Sequence, residues 1–362
     1  MMFSKTEKRQ LMIFVAIAYG ITYLLGILMW YGSMKQVDLA LFANAQMMYP
    51  AMGVMLAFLL TRREDTEMPK AFFRSFTAVT ILMIVCTVLS VLMPDRMAEM
   101  PGGTVSAWLI AVNYIQIAGC ILGLIFLLIS GKKKRAAYGL GWKNWKLSAA
   151  CIFLFLGLYF LRTAIAYAAM GGLSYFFDIF KTADAWVLLG ILPLNFLLGY
   201  IAFFGEEYGW RYYLQPILQK KFGLKKGVLI LGVVWGLWHL PLDFFFYVTP
   251  DKGLIMTTNQ IINCVGLGIF FAYAYMKTEN IWVPVILHFL NNNLILVTSG
   301  QFSADVLQNQ SVSWADIPAA FLLNGVLYGV FILAKPFREK KEESVSLDAG
   351  QSKGNCKHPV RM

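Results

Sequence analysis

The stretch "FFGEEYGWRYY", Phe203–Tyr213, sets two adjacent glutamates and an arginine at the end of a long apolar run. Whether that run belongs to a soluble core or to a membrane decides the fold. Of the 362 residues, 59% are hydrophobic and 14% are charged. A soluble domain carries about 25% charged residues, so the composition places the chain in the lipid bilayer. The net charge of +11 invites a nucleic-acid reading. The placement of the basic residues argues against a nucleic-acid partner, because they cluster in short loops between apolar runs.

A transmembrane helix needs roughly 20 consecutive apolar residues. Working outward from Phe203, ten candidate runs emerge: 11–31, 40–61, 71–93, 106–130, 147–169, 186–205, 228–248, 257–276, 281–298 and 315–334. The expected fold is therefore all-α, a polytopic membrane helical bundle of about ten transmembrane helices. The second run is the weakest, with Asn44, Gln46 and Pro50 inside it. Lys5, Lys8 and Arg9 precede the first run as in a signal peptide. That run is too long for a signal sequence and lacks a cleavage site, so it reads as a retained span.

Charge orients the bundle. With the N-terminus in the cytoplasm, 25 of the 31 lysines and arginines lie inside and four outside, Arg162 and Arg211 falling in or at the ends of spans. The opposite orientation inverts this bias, so both termini are expected in the cytoplasm. The expected organisation is an N-terminal transmembrane region of about five spans over 1–185, a core over 186–296, a last span within 297–334 and a disordered cytoplasmic tail over 335–362. The five cysteines show no C-x-x-C pair. Four of them fall in apolar runs, where they read as small buried hydrophobes.

An ionisable residue inside a span is costly and marks a functional site by default. Here several coincide. Glu206, Glu207 and Arg211 end the sixth run, His239 sits midway in the seventh ("WGLWHLPLDFF"), and His288 midway in the ninth ("ILHFLNNNL"). Polar groups avoiding lipid share one interior, so these three helices are expected to face one another. Glu207 and Arg211 stand four apart, on one helix face within ion-pair reach. Glu206 is turned about 100° away. Left unpaired in a water-poor site, it suits proton transfer. His288 and Asn292 again stand four apart. Pro241 frees a backbone carbonyl two residues after His239 and is expected to kink its helix. Two imidazoles, a carboxylate and an amide can thus converge on a metal or on a water. Trp235, Trp238 and Phe244–Phe246 read as core or lipid contacts.

With these residues in view, the chain resembles the CPBP family of intramembrane proteases, which holds CAAX prenyl endopeptidases and bacteriocin-processing proteins. "EEYGWR" matches the family's EExxxR, "WGLWH" its FxxxH with Trp235 in place of phenylalanine, and "HFLNN" its HxxxN. The resemblance covers roughly residues 186–296. It implies hydrolysis of a peptide bond in the membrane, near its cytoplasmic side. By the same resemblance Glu206 activates water, His239 and His288 bind that water or a metal, and Asn292 stabilises the oxyanion, while Glu207 and Arg211 support the site. The metal set implied is Glu206, His239 and His288 around one divalent ion, zinc by preference. Expected partners are a peptide or membrane-protein substrate and the bilayer. A leader peptide or membrane protein fits better than a prenylated CAAX protein, since the extra N-terminal spans and positive charge suit a bacterial cytoplasmic membrane. The rival reading is a non-catalytic scaffold, immunity protein or transporter that uses the same polar interior for binding. No H-E-x-x-H or G-x-S-x-G is present, which disfavours other intramembrane protease chemistries.

Overall fold

The computed structural model describes residues 4–62, 64–100, 103–302 and 304–338. The expected disordered tail lies outside the described residues beyond Arg338. Six long helices come first: α1 Lys5–Met34, α2 Ala40–Thr61, α3 Lys70–Leu92, α4 Ala107–Ile129, α5 Trp145–Ala169 and α6 Ala183–Phe222. Two short pieces follow, α7 Leu224–Trp238 and α8 Leu240–Phe245. The chain continues through α9 Pro250–Thr278, α10 Trp282–Thr298 and α11 Trp314–Leu333. Among the described residues eight of these are long and apolar enough to cross a membrane. A small antiparallel hairpin, Met97–Met100 with Gly103–Ser106, joins α3 to α4.

The all-α bundle agrees with the sequence reading, and the count differs for a physical reason. The run 228–248 is not one helix but α7 and α8, of 15 and 6 residues. The run 281–298 forms α10, of 17 residues. These shortened spans are the two that carry the histidines. The break falls at His239 because Pro241 has no N–H and cannot bond the carbonyl four residues back. That orphan, the Leu237 carbonyl, accepts instead from the Tyr23 hydroxyl at 2.9 Å. The neighbouring Trp238 carbonyl accepts from the Gln46 amide at 3.0 Å. Residues of α1 and α2 thus hold the broken span in place.

Close helix approach sets the rest of the frame. A Cβ on Gly236 would lie 2.7 Å from the Ile261 Cα, so only glycine lets α7 seat this close to α9. On α6, a Cβ on Gly205 would lie 2.7 Å from the Met48 Cα, which docks the glutamate pair against the start of α2's second half. One continuous buried cluster runs from Phe14 to Phe337. The first five helices therefore pack directly on the helices that bear the polar residues.

The interhelical loops sort into two ends. At one, Asn309 and Gln310 donate their backbone N–H groups to Phe246 and Tyr247, and the Tyr167 hydroxyl donates to the Thr298 carbonyl at 2.8 Å. At the other, Lys133 pairs with Glu67, Lys143 with Glu279 and Lys220 with Glu7. The basic loops share the second end, as the charge bias requires of a cytoplasmic face. Reporter fusions after Gly300 are expected to face away from the cytoplasm, and fusions after Arg338 to face it. The reverse pattern inverts the orientation.

Candidate active site

The glutamates sit where α6 leaves regular α geometry. A π-helical turn, Tyr208–Leu214, begins directly after Glu207, and such turns concentrate at functional sites. Glu206, Glu207 and Arg211 are 2%, 0% and 0% exposed, so none is an interfacial helix end. Arg211 Nε donates to Glu207 Oε2 at 2.9 Å, the pair that the four-residue spacing predicts. Arg211 Nη1 also reaches the Gly268 carbonyl at 3.4 Å. Its guanidinium lies 4.9 Å from the centre of the Trp235 ring and 5.6 Å from that of Phe271. Both contacts favour a cation in a dry setting.

Glu207 has a second partner that its sequence position did not reveal. Its Oε1 accepts from His288 Nδ1 at 2.9 Å. The carboxylate therefore joins α6 to α10. Since a carboxylate can only accept, the proton is on Nδ1, and in the neutral ring the lone pair of His288 stands on Nε2. His239 is set in the same way. Its Nδ1 meets the Trp235 carbonyl at 2.9 Å, an acceptor, which again leaves Nε2 as the basic atom. Two imidazoles of fixed tautomer thus result, each oriented through Nδ1.

Glu206 is turned away from Arg211, as expected, but it is not without a contact. Trp235 Nε1 donates to Glu206 Oε2 at 2.7 Å. The Trp235 ring also packs against both imidazoles, with centres 6.1 Å from His239 and 5.5 Å from His288. The expectation that Trp235 is a plain core residue is therefore corrected: it binds the candidate base. A tryptophan in an apolar run reads as packing, and only its place four residues before His239 could have flagged it. Trp238 is closer to the sequence reading. It packs edge-on against His239 at 4.9 Å and ties its indole N–H to the Ala18 carbonyl.

Glu206, His239, His288 and Asn292 all line one cavity of about 540 Å³. Asn292 accepts from the Asn291 amide at 3.0 Å through its oxygen, which turns its own amide N–H groups to other partners. His288 is seven residues into the chain from Ile281, roughly 10 Å of helix from the basic end. The cavity extends the other way. Tyr247, Leu307, Gln308 and Gln310 line it, and all four belong to the loops of the sparsely charged end.

Glu206, His239 and His288, the zinc set that the resemblance implies, all line this cavity. Among the described residues no three His, Cys, Asp or Glu side chains stand together as a metal-holding group.

Comparison with known proteins centres on this part of the chain. Residues 185–294 match the family described as Type II CAAX prenyl endopeptidase Rce1-like. The matched segment is similar to this family and makes up under a third of the chain. It contains every residue of the site, from Glu206 on α6 to Asn292 on α10. A protein of Methanococcus maripaludis named CAAX prenyl protease 2 is 32% identical over 115 residues, which is 30% of this chain and 42% of that relative. The chain thus spans less than half the length of the curated relative it matches. No solved structure matches the chain at a significant level.

Proposed function

We propose that the chain is an intramembrane endopeptidase in which Glu206 activates water held by His239 and His288. The observation that carries this is the joint lining of one cavity by Glu206, His239, His288 and Asn292, with both histidines presenting Nε2. A water in this cavity donates one O–H to the Glu206 carboxylate and the other to an imidazole Nε2. The Glu206 carboxylate takes one proton as the oxygen attacks the peptide carbonyl, then returns it to the leaving amine. In this reading the Asn292 amide donates an N–H to the developing oxyanion. Glu207 and Arg211 neutralise each other, so the attacking base is the one carboxylate lining the cavity among the described residues. Trp235 fixes that carboxylate's orientation.

The family's prenylated CAAX substrate is not carried over, because nothing in the lining singles out a prenyl chain. A leader peptide or membrane protein remains the reading for the substrate. The test is cleavage of a peptide library by the purified protein in liposomes, read by mass spectrometry. Discrete products support the reading. Saturable peptide binding without any product assigns the cavity to a scaffold or transport role. Strong chelators are expected to leave cleavage unchanged, with substoichiometric metal in the purified protein. Stoichiometric zinc that is lost together with activity would replace this mechanism by a metal-assisted one.

A further inference from the structure

The cavity is larger than the chemistry needs, and its walls have a definite character. Beyond the reacting groups it is lined by side-chain amides from five parts of the fold, including Asn44 on α2, Asn259 and Asn263 on α9, and Asn293 on α10. Asn259 and Asn263 stand four apart, so they share a face of α9. The Oδ1 atoms of both are buried and have no hydrogen-bond partner within the protein. A buried acceptor left unsatisfied costs about 1–3 kcal/mol, so these two oxygens await a donor from outside the protein. Carboxamides supply both donors and acceptors, which is what an extended peptide backbone requires.

Charge is nearly absent from this wall. Its one permanent cation is Arg162, whose Nη1 donates to Asn324 Oδ1 at 2.8 Å and whose guanidinium lies 4.5 Å from the centre of the Tyr159 ring. Direction is the second observation. Most lining residues beyond the reacting groups, among them Asn44, Asn259, Asn263 and Asn293, fall on the half of their helix nearer the loops 246–249 and 299–313. Only Lys35, Arg96, Lys181 and Lys252 supply basic residues at that end. By the charge bias this end is extracytoplasmic.

We propose that substrate reaches the site as an extended, uncharged polypeptide segment from the extracytoplasmic face, with its backbone bonded to the amides of α9 and α10. This rests on the endopeptidase reading for what happens at Glu206, but the route itself is a matter of access. The scissile bond is then cut inside the bilayer, reached from the extracytoplasmic side.

Single-cysteine labelling in a background with all five native cysteines, Cys86, Cys120, Cys151, Cys264 and Cys356, replaced by alanine tests it. Gln308→Cys at the mouth and Lys133→Cys in a basic loop are exposed in turn to a membrane-impermeant sulfonated maleimide, in right-side-out and in inverted vesicles. The expected result is labelling of Gln308→Cys only in right-side-out vesicles and of Lys133→Cys only in inverted ones. Labelling is expected to lower the cleavage rate of Gln308→Cys at least tenfold relative to the same variant before labelling. Asn263→Cys, deeper in the cavity, should react from the right-side-out face and be shielded by an uncharged peptide. Labelling of Gln308→Cys from the cytoplasmic face alone overturns the proposal. So does labelling that leaves cleavage intact. Outward labelling and peptide shielding with no peptide ever cut would keep the route and remove the protease reading instead.

Discussion

Glu206→Gln is expected to abolish measurable cleavage while leaving the fold intact. The substitution preserves shape, and the glutamine carbonyl can still accept the Trp235 indole N–H that Glu206 Oε2 accepts at 2.7 Å. What disappears is basicity. Loss of a general base lowers rates by roughly 10²–10⁴-fold, so product formation should fall by that factor with the thermal midpoint essentially unchanged. Peptide binding should survive, because the amide wall lies away from the substituted atom. A well-folded Glu206→Gln protein that cuts at the wild-type rate would take Glu206 out of the mechanism. The neighbouring Glu207 could not then be substituted for it, since both its oxygens are already engaged, one with Arg211 and one with His288.

That contrast between adjacent glutamates shows what the sequence could and could not disclose. The i,i+4 spacing of Glu207 and Arg211 is a local property of a helix, and it foretold their ion pair. Pro241 is equally local, and it foretold the break at His239. The apolar runs located nearly every helix, because twenty residues of hydrocarbon-compatible sequence have few other fates. The contacts that were missed are all between helices. His288 to Glu207 joins residues 81 positions apart, and Trp235 to Glu206 joins residues 29 apart. Spacing on one helix carries no information about rotation of another, so neither contact was legible. The length of α6 was missed for a different reason. Hydropathy ends at Gly205, but the helix continues through a π turn to Phe222, because Glu206, Glu207 and Arg211 are buried by other helices rather than released to water. The direction of the cavity was likewise hidden, since loops 246–249 and 299–313 meet only in three dimensions.

Glu207→Ala is expected to be the most damaging single change to stability in the site. Glu207 is fully buried, and its two oxygens bind Arg211 Nε and His288 Nδ1, each at 2.9 Å. Truncation strands a guanidinium that is itself 0% exposed. Breaking a buried pair in this way costs about 3–5 kcal/mol, a large part of the roughly 5–15 kcal/mol that holds a typical domain folded. The folded yield and the thermal midpoint should both drop sharply, and Arg211→Ala should do the same by stranding the carboxylate. Glu207→Gln should be milder, because an amide oxygen can still accept from one of the two partners. The same bond has a chemical consequence. With Glu207 gone, nothing holds the proton on His288 Nδ1, and the imidazole is free to rotate or to change tautomer. Any Glu207→Gln protein that folds should therefore lose cleavage through a lower kcat, with KM little changed, because peptide binding relies on the amide wall. If Glu207→Ala instead melts like the wild type, binds peptide normally and yet cuts nothing, then Glu207 acts in the chemistry itself. The division of labour between the two glutamates would have to be redrawn.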